Sequence, residues 1–564
     1  MPLDGVNMQA TRIPFLFRLL PSLTDISFLL PILFLFARMG GVKTLLSDCD
    51  TGWHIRTGEW IVSNHQVPAR DFFSFTKAGE PWYAWEWLSD VIFAWLNAHG
   101  GLATVVMVSI LIIAVTFMLL FRLALRKANP IVAVLVTMVA TASSAIHWLA
   151  RPHLFSLLFM VLFYRALESV RAGRGRYHGI PILALLPAAT ILWTNLHGGF
   201  FIGILMLMGY GGAELVKFVV AADRTEAAAA RLQARGYLVS ALGCLAASLV
   251  NPYFYRLHVH VVQYLTDPFQ AQHVVEFLTM SFHHPVAIFF ESLLVLGVAA
   301  AIWHAAHGSY TEAVLIAMWA HAALLASRNV PLFAIVAAPI VASAIDAWVR
   351  KLPEIETVLW LRTAARKFVA IAAETAETDA IPRWHVASAA GFLVIAALVY
   401  APAPPKLFRP EYDPDAYPAG AIALLKSDRS ARIFTNDEWG DYLIYRLYPE
   451  NRVFVDGRSD FYGDDFVQKY LDVLNVKYDW QETLGHFGIN TILLPPSAPL
   501  AGALKESSRW RVVYDDGISL VFRPAAGIGG ESSATAQGGG GERSRTATKT
   551  EIRNRVGAVR RFKT

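Results

Sequence analysis

Cysteine is almost absent from this 564-residue chain, which contains only Cys49 and Cys244. Two isolated cysteines exclude a disulfide framework or a zinc–thiolate site as the organising principle of the fold. Charged residues are also scarce, at 16% of the chain, whereas a soluble protein has roughly 25%. Apolar residues make up 55%. This composition argues against a water-soluble fold and indicates a polytopic membrane protein.

A cleavable signal peptide and a concentrated basic surface are also missing from the sequence. The start of the chain lacks a charged segment followed by a short apolar core and a small-residue cleavage site, so the first apolar span is expected to be a retained signal anchor. The formal net charge of +5 does not indicate nucleic-acid binding, because the basic residues are scattered between apolar stretches. We therefore expect the membrane as a partner and no nucleic acid.

Long apolar stretches recur along the chain, and a membrane-spanning helix needs about 20 mostly apolar residues. Eleven candidates are present: 22–46, 101–121, 130–149, 153–169, 180–195, 199–220, 237–251, 286–306, 311–327, 330–349 and 384–402. The predicted fold class is an all-α polytopic membrane bundle of about 11 transmembrane helices with a small extracytoplasmic α/β domain at the C-terminus.

Basic residues concentrate in alternate loops. If the N-terminus is cytoplasmic, the inner loops carry most of them: Arg122, Arg126, Lys127, Arg165, Arg171, Arg174, Arg176, Lys217, Arg224, Arg231 and Arg235, with more between 350 and 383. The positive-inside rule then predicts a cytoplasmic N-terminus and a periplasmic or extracellular C-terminal domain. The scarcity of cysteine favours a bacterial inner membrane.

The chain divides into three predicted regions. Residues 1–402 form the transmembrane domain, whose first outer loop, 47–100, contains two helix-like segments rich in tryptophan that suit the membrane interface. Residues 403–524 alternate strand-like and helix-like segments and end in a predicted hairpin turned by Asp515-Asp516-Gly517. Residues 525–564 have little to bury and are predicted to be disordered.

The first outer loop contains the most informative polar segment, Asp48-Cys49-Asp50 with His54 one helical turn later. Two carboxylates one residue apart can share Mg²⁺ or Mn²⁺ through their oxygens. Alternatively, one of them can act as general base for a hydroxyl group. The same carboxylates can also simply end a helix at the membrane boundary, where they reach water.

Other polar residues are predicted at the same outer face, although they come from different loops. They are His147, Arg151, His153, Asn195, His197, Asn251, Tyr253, Arg328 and Asn329. Each can be an ordinary polar loop residue. Arg151 and Arg328 are more informative, because the outer loops contain little arginine and a guanidinium matches a phosphate in bidentate fashion. A lipid phosphate at this face is their natural partner.

Several segments resemble bacterial members of the GT-C superfamily of polytopic glycosyltransferases, which includes protein O-mannosyltransferase-like and aminoarabinose-transferase-like enzymes. The resemblance covers most of residues 20–400. It is carried by five segments: Asp48-Cys49-Asp50, the helix Gly52–Gly58, Val67–Ser74, Trp85-Glu86-Trp87-Leu88 and Arg328–Phe333. The implied fold is a helical bundle with an acidic first outer loop.

This resemblance implies transfer of a sugar from a polyprenyl-phosphate donor to a lipid, glycan or protein acceptor on the outer face, with inversion at the anomeric carbon. Asp48 and Asp50 match the acidic motif and would act as base and as metal or acceptor ligands, with Asp50 the preferred base. By the same analogy Arg328 would hold the carrier phosphate. His54, Arg151, His153, Asn195 and His197 complete the candidate set for donor-phosphate or acceptor binding. The C-terminal region does not match the β-trefoil domain of the protein mannosyltransferases, which argues against a protein acceptor.

A second polar cluster is predicted in the C-terminal region, where Asn436–Gly440 and Arg452–Asp460 lie at apparent strand ends. These residues can be turn residues and helix caps, or they can form an acceptor-binding surface. Two other functions remain open. One is a transporter or flippase of a lipid-linked substrate, for which inverted repeats and ionisable residues in mid-span are expected. The other is a membrane-anchored assembly protein that acts through its outer domain.

Overall fold

The computed structural model of the chain describes residues 15–355 and 358–525. Helices dominate the part before residue 402. They are α1 Phe15–Leu19, α2 Leu23–Phe34, α3 Val42–Leu45, α4 Asp50–Asn64, α5 Trp87–Ala124, α6 Pro130–Ser144, α7 His153–Arg171, α8 Ile182–Leu196, α9 Phe201–Val220, α10 Arg224–Ala247, α11 Tyr255–Thr266, α12 Gln270–His273, α13 Ala287–Ala306, α14 Tyr310–Leu325, α15 Val330–Lys351, α16 Leu359–Asp379 and α17 Val386–Val399. A two-residue hairpin, β1 Arg176–Tyr177 and β2 Ile180–Pro181, joins α7 to α8.

Seven segments of the described chain are long and apolar enough to cross a membrane: Phe17–Met39, Trp87–Ala124, Pro130–His147, His153–Arg171, Gly198–Val220, Ala287–Ala306 and Ser327–Glu354. Three shorter apolar helices, α8, α14 and α17, overlap three more predicted spans. The remaining candidate, 237–251, is the apolar end of α10, whose first half is charged and which stops at Ala247. The expected number of about eleven spans is therefore not confirmed, although the multi-helix membrane architecture is.

Helix ends follow local sequence signals. Ser22 and Asp25 form a capping box at the start of α2, and the Asn129 side chain accepts from the Val132 N–H where α6 begins. Helix α5 breaks at Gly100-Gly101, where Gly101 has φ 64° and ψ −162°. A residue with a Cβ is strained there. The break divides α5 into a segment before Gly100 and a segment after Gly101, and the second segment contains the predicted span 101–121.

Helix α15 forms the centre of the bundle. Every residue from Val330 to Ala342 is buried, and the helix packs against α5, α6, α13 and α14. An apolar helix that is buried all round is expected at the core of a membrane bundle. It begins next to Arg328, so a fully buried stretch of helix positions one of the predicted site residues.

The C-terminal region combines a small mixed sheet with short helices. Its elements are α18 Ile422–Lys426, β3 Ile433–Phe434, α19 Asp437–Leu447, α20 Ser459–Tyr462, α21 Asp464–Leu474, α22 Trp480–His486, β4 Thr491–Leu494, α23 Pro499–Glu506, β5 Trp510–Asp515 and β6 Leu520–Pro524. The strand order is β3-β4-β6-β5, with β3 parallel to β4 and the other pairs antiparallel. The antiparallel pair β5–β6 is the hairpin that the sequence predicts. The predicted disordered tail, from residue 526 onward, lies outside the described residues.

The first outer loop packs directly on the C-terminal region. Val453 forms parallel bridges with Ser74 of the loop and with Ile433 of β3. The Val453 N–H donates to Phe73 O, and the Phe75 N–H donates to Val453 O, both at 3.0 Å. These main-chain contacts hold the loop at the edge of the sheet, so residues of both regions face the same space.

Candidate active site

Arg151 lies at the centre of a polar cluster at one end of the bundle. Its Nη2 is 2.6 Å from Asp50 Oδ2, and its Nη1 is 2.9 Å from Asp48 Oδ2. The same Nη1 is 3.7 Å from Glu276 Oε2. Three carboxylates from two distant parts of the chain therefore surround one guanidinium, which presents its donors in a rigid planar fork.

Local contacts hold Arg151 against the start of α4. The Asp48 side chain accepts from the Asp50 N–H at 2.8 Å, which forms the turn that begins the helix. The Thr51 hydroxyl donates to Ala150 O at 2.9 Å, and the Ala150 N–H donates to Leu45 O at 2.8 Å. The loop before α7 is thus bonded on both sides to the residues that flank the acidic motif.

Glu276 links Arg151 to a second cation. Its Oε1 is 3.0 Å from Nη1 of Arg328, whose guanidinium also lies over the Phe277 ring at 4.5 Å. His147 Nε2 is 3.9 Å from Glu276 Oε2, and the His147 and His153 rings are 4.4 Å apart. The carboxylate of Glu276 therefore lies between two arginines and a pair of histidines.

Glu86 forms the other side of the cluster together with two histidines. His197 Nε2 is 3.2 Å from Glu86 Oε1. His197 Nδ1 accepts from the Gly199 N–H at 2.9 Å, so the ring proton is on Nε2 and faces the carboxyl group. His54 bonds to Asp90 through Nδ1 at 2.6 Å and approaches Glu86 through Nε2 at 3.4 Å.

The C-terminal region contributes Asp441, on α19. The Gly457 N–H donates to both of its carboxylate oxygens, at 3.0 and 3.1 Å. A Cβ at position 457 would lie 2.6 Å from Asp441 Oδ2 and 2.8 Å from Asp50 Oδ1. Both carboxylates therefore lie on the Cβ side of Gly457, which places Asp50 and Asp441 next to each other and leaves little room for a side chain at this position.

A buried arginine ties the two regions together beside this site. Arg458 Nη2 is 2.7 Å from Asp71 Oδ1 in the first outer loop, and also 2.7 Å from Asp456 Oδ2. Its guanidinium packs over Trp82 at 4.5 Å. A buried ion pair tolerates little displacement of its partners. The pair therefore sets the position of the Asp456–Gly457 backbone relative to the loop.

Burial dominates the electrostatics of the cluster. It raises the pKa of Asp50 to about 7, against the opposing charge of Arg151. Burial likewise raises the pKa of Glu86 to about 8 and, reinforced by Asp50, raises that of Asp441 well above its usual range. Burial lowers the pKa of His197 to about 3. Carboxyl groups that titrate near neutral pH are suited to proton transfer.

Other groups in the same space keep their charge. For Glu276, Arg328 and Arg151 outweigh burial and lower the carboxyl pKa to about 2. For Arg151, Asp50 and Asp48 outweigh burial and hold the guanidinium pKa well above its usual value. The site thus combines fixed charges with groups that exchange protons, an arrangement typical of active sites.

The structure brings together most of the residues predicted from the sequence. Asp48, Asp50 and Arg151 are in direct contact, and Arg328 and His153 join them through Glu276 and His147. His197 joins through Glu86. His54 is buried, with both ring nitrogens next to carboxyl groups. Asn195 accepts from Trp87 Nε1 and donates to the carbonyls of Ile191 and Val250, so its amide bridges three elements of the bundle.

Sequence reasoning missed Glu276, Asp441 and the role of Glu86. Glu86 stands inside the quoted segment Trp85–Leu88, and Asp441 directly follows Asn436–Gly440, so both were next to recognised motifs. Glu276 lies in a long loop with no characteristic spacing to the acidic motif. Its signal would have been its place on the predicted outer face, opposite two outer arginines.

The residues present do not fit a divalent cation at Asp48 and Asp50. Both carboxylates are bound by the fork of Arg151, so a metal within bonding distance of the same oxygens would touch a positive guanidinium. In the described ranges, no group of three His, Cys, Asp or Glu side chains is arranged to hold a metal ion. The shared Mg²⁺ or Mn²⁺ expected from the sequence has no fitting ligand set here.

The fold is similar to that of an archaeal oligosaccharyltransferase, which has the GT-C fold. A structure of AglB from Archaeoglobus fulgidus with an inhibitory peptide and a dolichol-phosphate aligns with a TM-score of 0.53 and 12% identity, over 90% of this chain and 74% of that one. The apo form of the A. fulgidus enzyme aligns with a TM-score of 0.50 and 12% identity, over 84% and 69% of the two chains. No family model and no curated protein matches the sequence.

Proposed function

We propose that the protein is a membrane glycosyltransferase that moves a sugar from a polyprenyl-phosphate donor to a hydroxyl acceptor on the outer face of the membrane. The observation that carries this proposal is Asp50: a carboxyl group with only 13% of its side chain exposed, whose pKa is raised to about 7 and which is held by Arg151 where the bundle meets the C-terminal region. The similarity to the fold of an enzyme solved with a dolichol-phosphate supports a lipid-linked donor.

In the proposed reaction Asp50 takes the proton of the acceptor hydroxyl as its oxygen attacks the anomeric carbon. The bond from that carbon to the phosphate oxygen breaks, and the phosphate leaves with the electron pair. Because a phosphate leaving group is weakly basic, it needs neutralisation more than protonation. Arg328 carries a fixed charge for this purpose on the far side of Glu276. A single displacement of this kind inverts the anomeric carbon.

The other predicted residues receive roles in the same scheme. Asp48 orients Arg151 and begins α4, whereas Arg151, His153 and His197 line the donor side. His54 and Asn195 hold the residues that line the site, His54 through Glu86 and Asp90 and Asn195 through Trp87. Residues 1–402 would be the transmembrane domain, and residues 403–524 the domain that closes the site with Asp441. The transferred sugar is a hexose or a pentose, and the enzyme is of the O-mannosyltransferase or the aminoarabinose-transferase subtype. Identification of the substrates decides between these alternatives.

We also propose that the cluster faces the periplasm of a bacterial inner membrane. Its residues share one end of the bundle with the C-terminal region. Basic residues gather at the opposite end, in the turn at Arg126 and Lys127, the segment Arg171–Arg176, and Arg350 with Lys351. By the positive-inside rule that end is cytoplasmic. The comparisons lend no support to the alternative of a transporter or flippase.

Product analysis by mass spectrometry tests the function. Purified wild-type protein, Asp50→Asn and the control Glu59→Gln, a half-exposed carboxylate on the same helix, are incubated with native lipids and candidate acceptors. We expect a hexose-sized or pentose-sized mass gain on an acceptor with wild type and Glu59→Gln, and none with Asp50→Asn. Equal product from Asp50→Asn would refute its role as base. Lipid binding without product, followed by movement of the lipid across a bilayer, would favour transport.

A further inference from the structure

The arrangement of Asp48, Asp50 and Glu276 is that of ligands around a cation, and the cation is a side chain of the protein. Two of the three carboxylates lie within 2.9 Å of a guanidinium nitrogen and the third at 3.7 Å. The guanidinium is largely enclosed, with 22% of the side chain exposed. The arginine fork presents its donors in a fixed planar geometry and binds Asp50 through Nη2 and Asp48 through Nη1, a geometry that the point charge of a lysine ammonium does not have.

Arg151 is built into this position by contacts other than its own ion pairs. The neighbouring Ala150 is bonded through its carbonyl to Thr51 and through its N–H to Leu45. Pro152 follows immediately and begins the turn into α7. These main-chain contacts place the Arg151 guanidinium next to the acidic motif without the help of a ligand.

We infer that Arg151 is the resident cation of this site, standing where a divalent metal would otherwise bind, and that the protein works without a metal at Asp48 and Asp50. A small divalent ion bound to oxygens of these carboxylates would contact the guanidinium, and the two positive charges would repel each other. Removal of the guanidinium frees three carboxylates that face the same space, and carboxylate oxygens are the ligands that Mn²⁺ and Mg²⁺ prefer once the side chains close on the ion.

Manganese binding tests this inference without any assay of activity. Detergent-purified full-length protein is titrated with Mn²⁺, and free Mn²⁺ is measured by electron paramagnetic resonance. We expect no stoichiometric site in wild type and one site in Arg151→Ala, with affinity raised at least tenfold. The site should disappear in Arg151→Ala combined with Asp50→Asn. Arg328→Ala, which removes a cation that touches a single carboxylate of the set, is the matched control and should gain no site.

Two outcomes would overturn the inference. One is a stoichiometric Mn²⁺ site in wild type that Asp50→Asn abolishes, a result that stands even if the alanine variant fails to fold. The other is a folded Arg151→Ala protein that binds no more Mn²⁺ than wild type does. If the protein transfers sugars as proposed, transfer should also continue in the presence of metal chelators. That experiment depends on the proposed function and is carried out separately from the Mn²⁺ titration. Absence of transfer with the expected Mn²⁺ results would refute the proposed function and leave the inference intact.

Discussion

The two ends of the bundle use the same residue types in different proportions. At the end assigned to the cytoplasm, Lys127 and Arg171 pair with Glu168 and Glu312, two cations with two carboxylates. The Tyr210 hydroxyl completes the set at 2.6 Å from Glu168. At the outer end, by contrast, carboxyl groups outnumber cations. They are Asp48, Asp50, Glu86, Glu276 and Asp441, with Arg151 and Arg328 as the cations.

This difference separates a structural cluster from a chemical one. Where charges balance, every carboxylate has a permanent partner and the network locks helices together. Where carboxyl groups are in excess, burial favours protons on those without a cation beside them, in line with the raised pKa values of Glu86 and Asp441. Groups that exchange protons near neutral pH can serve a reaction. The following variants test that contrast.

The largest effect is expected at the outer end with Asp50→Asn. Loss of a general base should lower the rate of sugar transfer by about 10²–10⁴-fold. The unfolding temperature should stay the same, because an asparagine oxygen can still accept from Arg151. Initial rates check the expected loss of sugar transfer, and thermal unfolding in detergent checks the unchanged unfolding temperature. An unfolded Asp50→Asn variant would show that Asp50 is needed for stability, as the residues of the structural cluster are, and would contradict the proposed difference between the two ends.

The inner end should respond in the opposite way. Arg171→Met leaves Glu168 and Glu312 with Lys127 alone, and removal of one partner from a buried pair costs about 3 kcal/mol. We expect earlier thermal unfolding with an unchanged transfer rate per folded molecule. The half-exposed pair Lys217–Glu226 supplies the control, since Lys217→Met should leave stability nearly unchanged. A large loss of rate in folded Arg171→Met protein would contradict a purely structural role.

A smaller effect is expected where the two regions meet. Asp71→Asn leaves Arg458 with Asp456 as its remaining carboxylate, a loss of about 1–3 kcal/mol. Hydrogen exchange should rise in residues 69–84, and the transfer rate should fall less than in Asp50→Asn. The exposed Asp465→Asn, in α21 of the same region, is the control. Unchanged exchange in 69–84 would show that main-chain bonding to Val453 suffices for docking.

The mildest perturbation is pH. The base must be deprotonated, and burial raises the pKa of Asp50 to about 7. The wild-type rate should therefore fall on acidification, approaching about tenfold per pH unit below pH 7. This fall in rate below pH 7 should be absent from the residual activity of Asp50→Asn and present in Glu59→Gln. A wild-type rate that is constant between pH 5 and 7 would assign the proton to another group.

Much of the architecture can be predicted from local patterns. Long apolar stretches indicate the candidate spanning helices, and Gly100-Gly101 marks the break within α5. The predicted span 237–251 falls on the end of α10, which is not among the seven described segments that are long and apolar enough to cross a membrane. The hairpin at Asp515–Gly517 was predicted from its turn residues. Each of these features depends on residues close together in the chain.

The site was predictable in part for the same reason. The acidic motif Asp48–Asp50 and the outer arginines stand out because charge is rare in this sequence and costly near a bilayer. The pairing of Arg151 with both aspartates was not predictable, since about a hundred residues separate them. Nor was the contribution of Asp441, which depends on how the C-terminal region docks on the first outer loop through Val453.

The sequence by itself thus determined that the chain is a helical membrane protein and singled out its acidic motif and its loop arginines, because hydropathy and the cost of buried charge act locally. Only the tertiary structure decided which charges neutralise one another. Arg151 became the partner of Asp48 and Asp50, whereas Glu86 and Asp441 were left to retain protons. The physical reason is that a pKa depends on burial and on neighbours within a few ångströms, and packing between distant segments sets both.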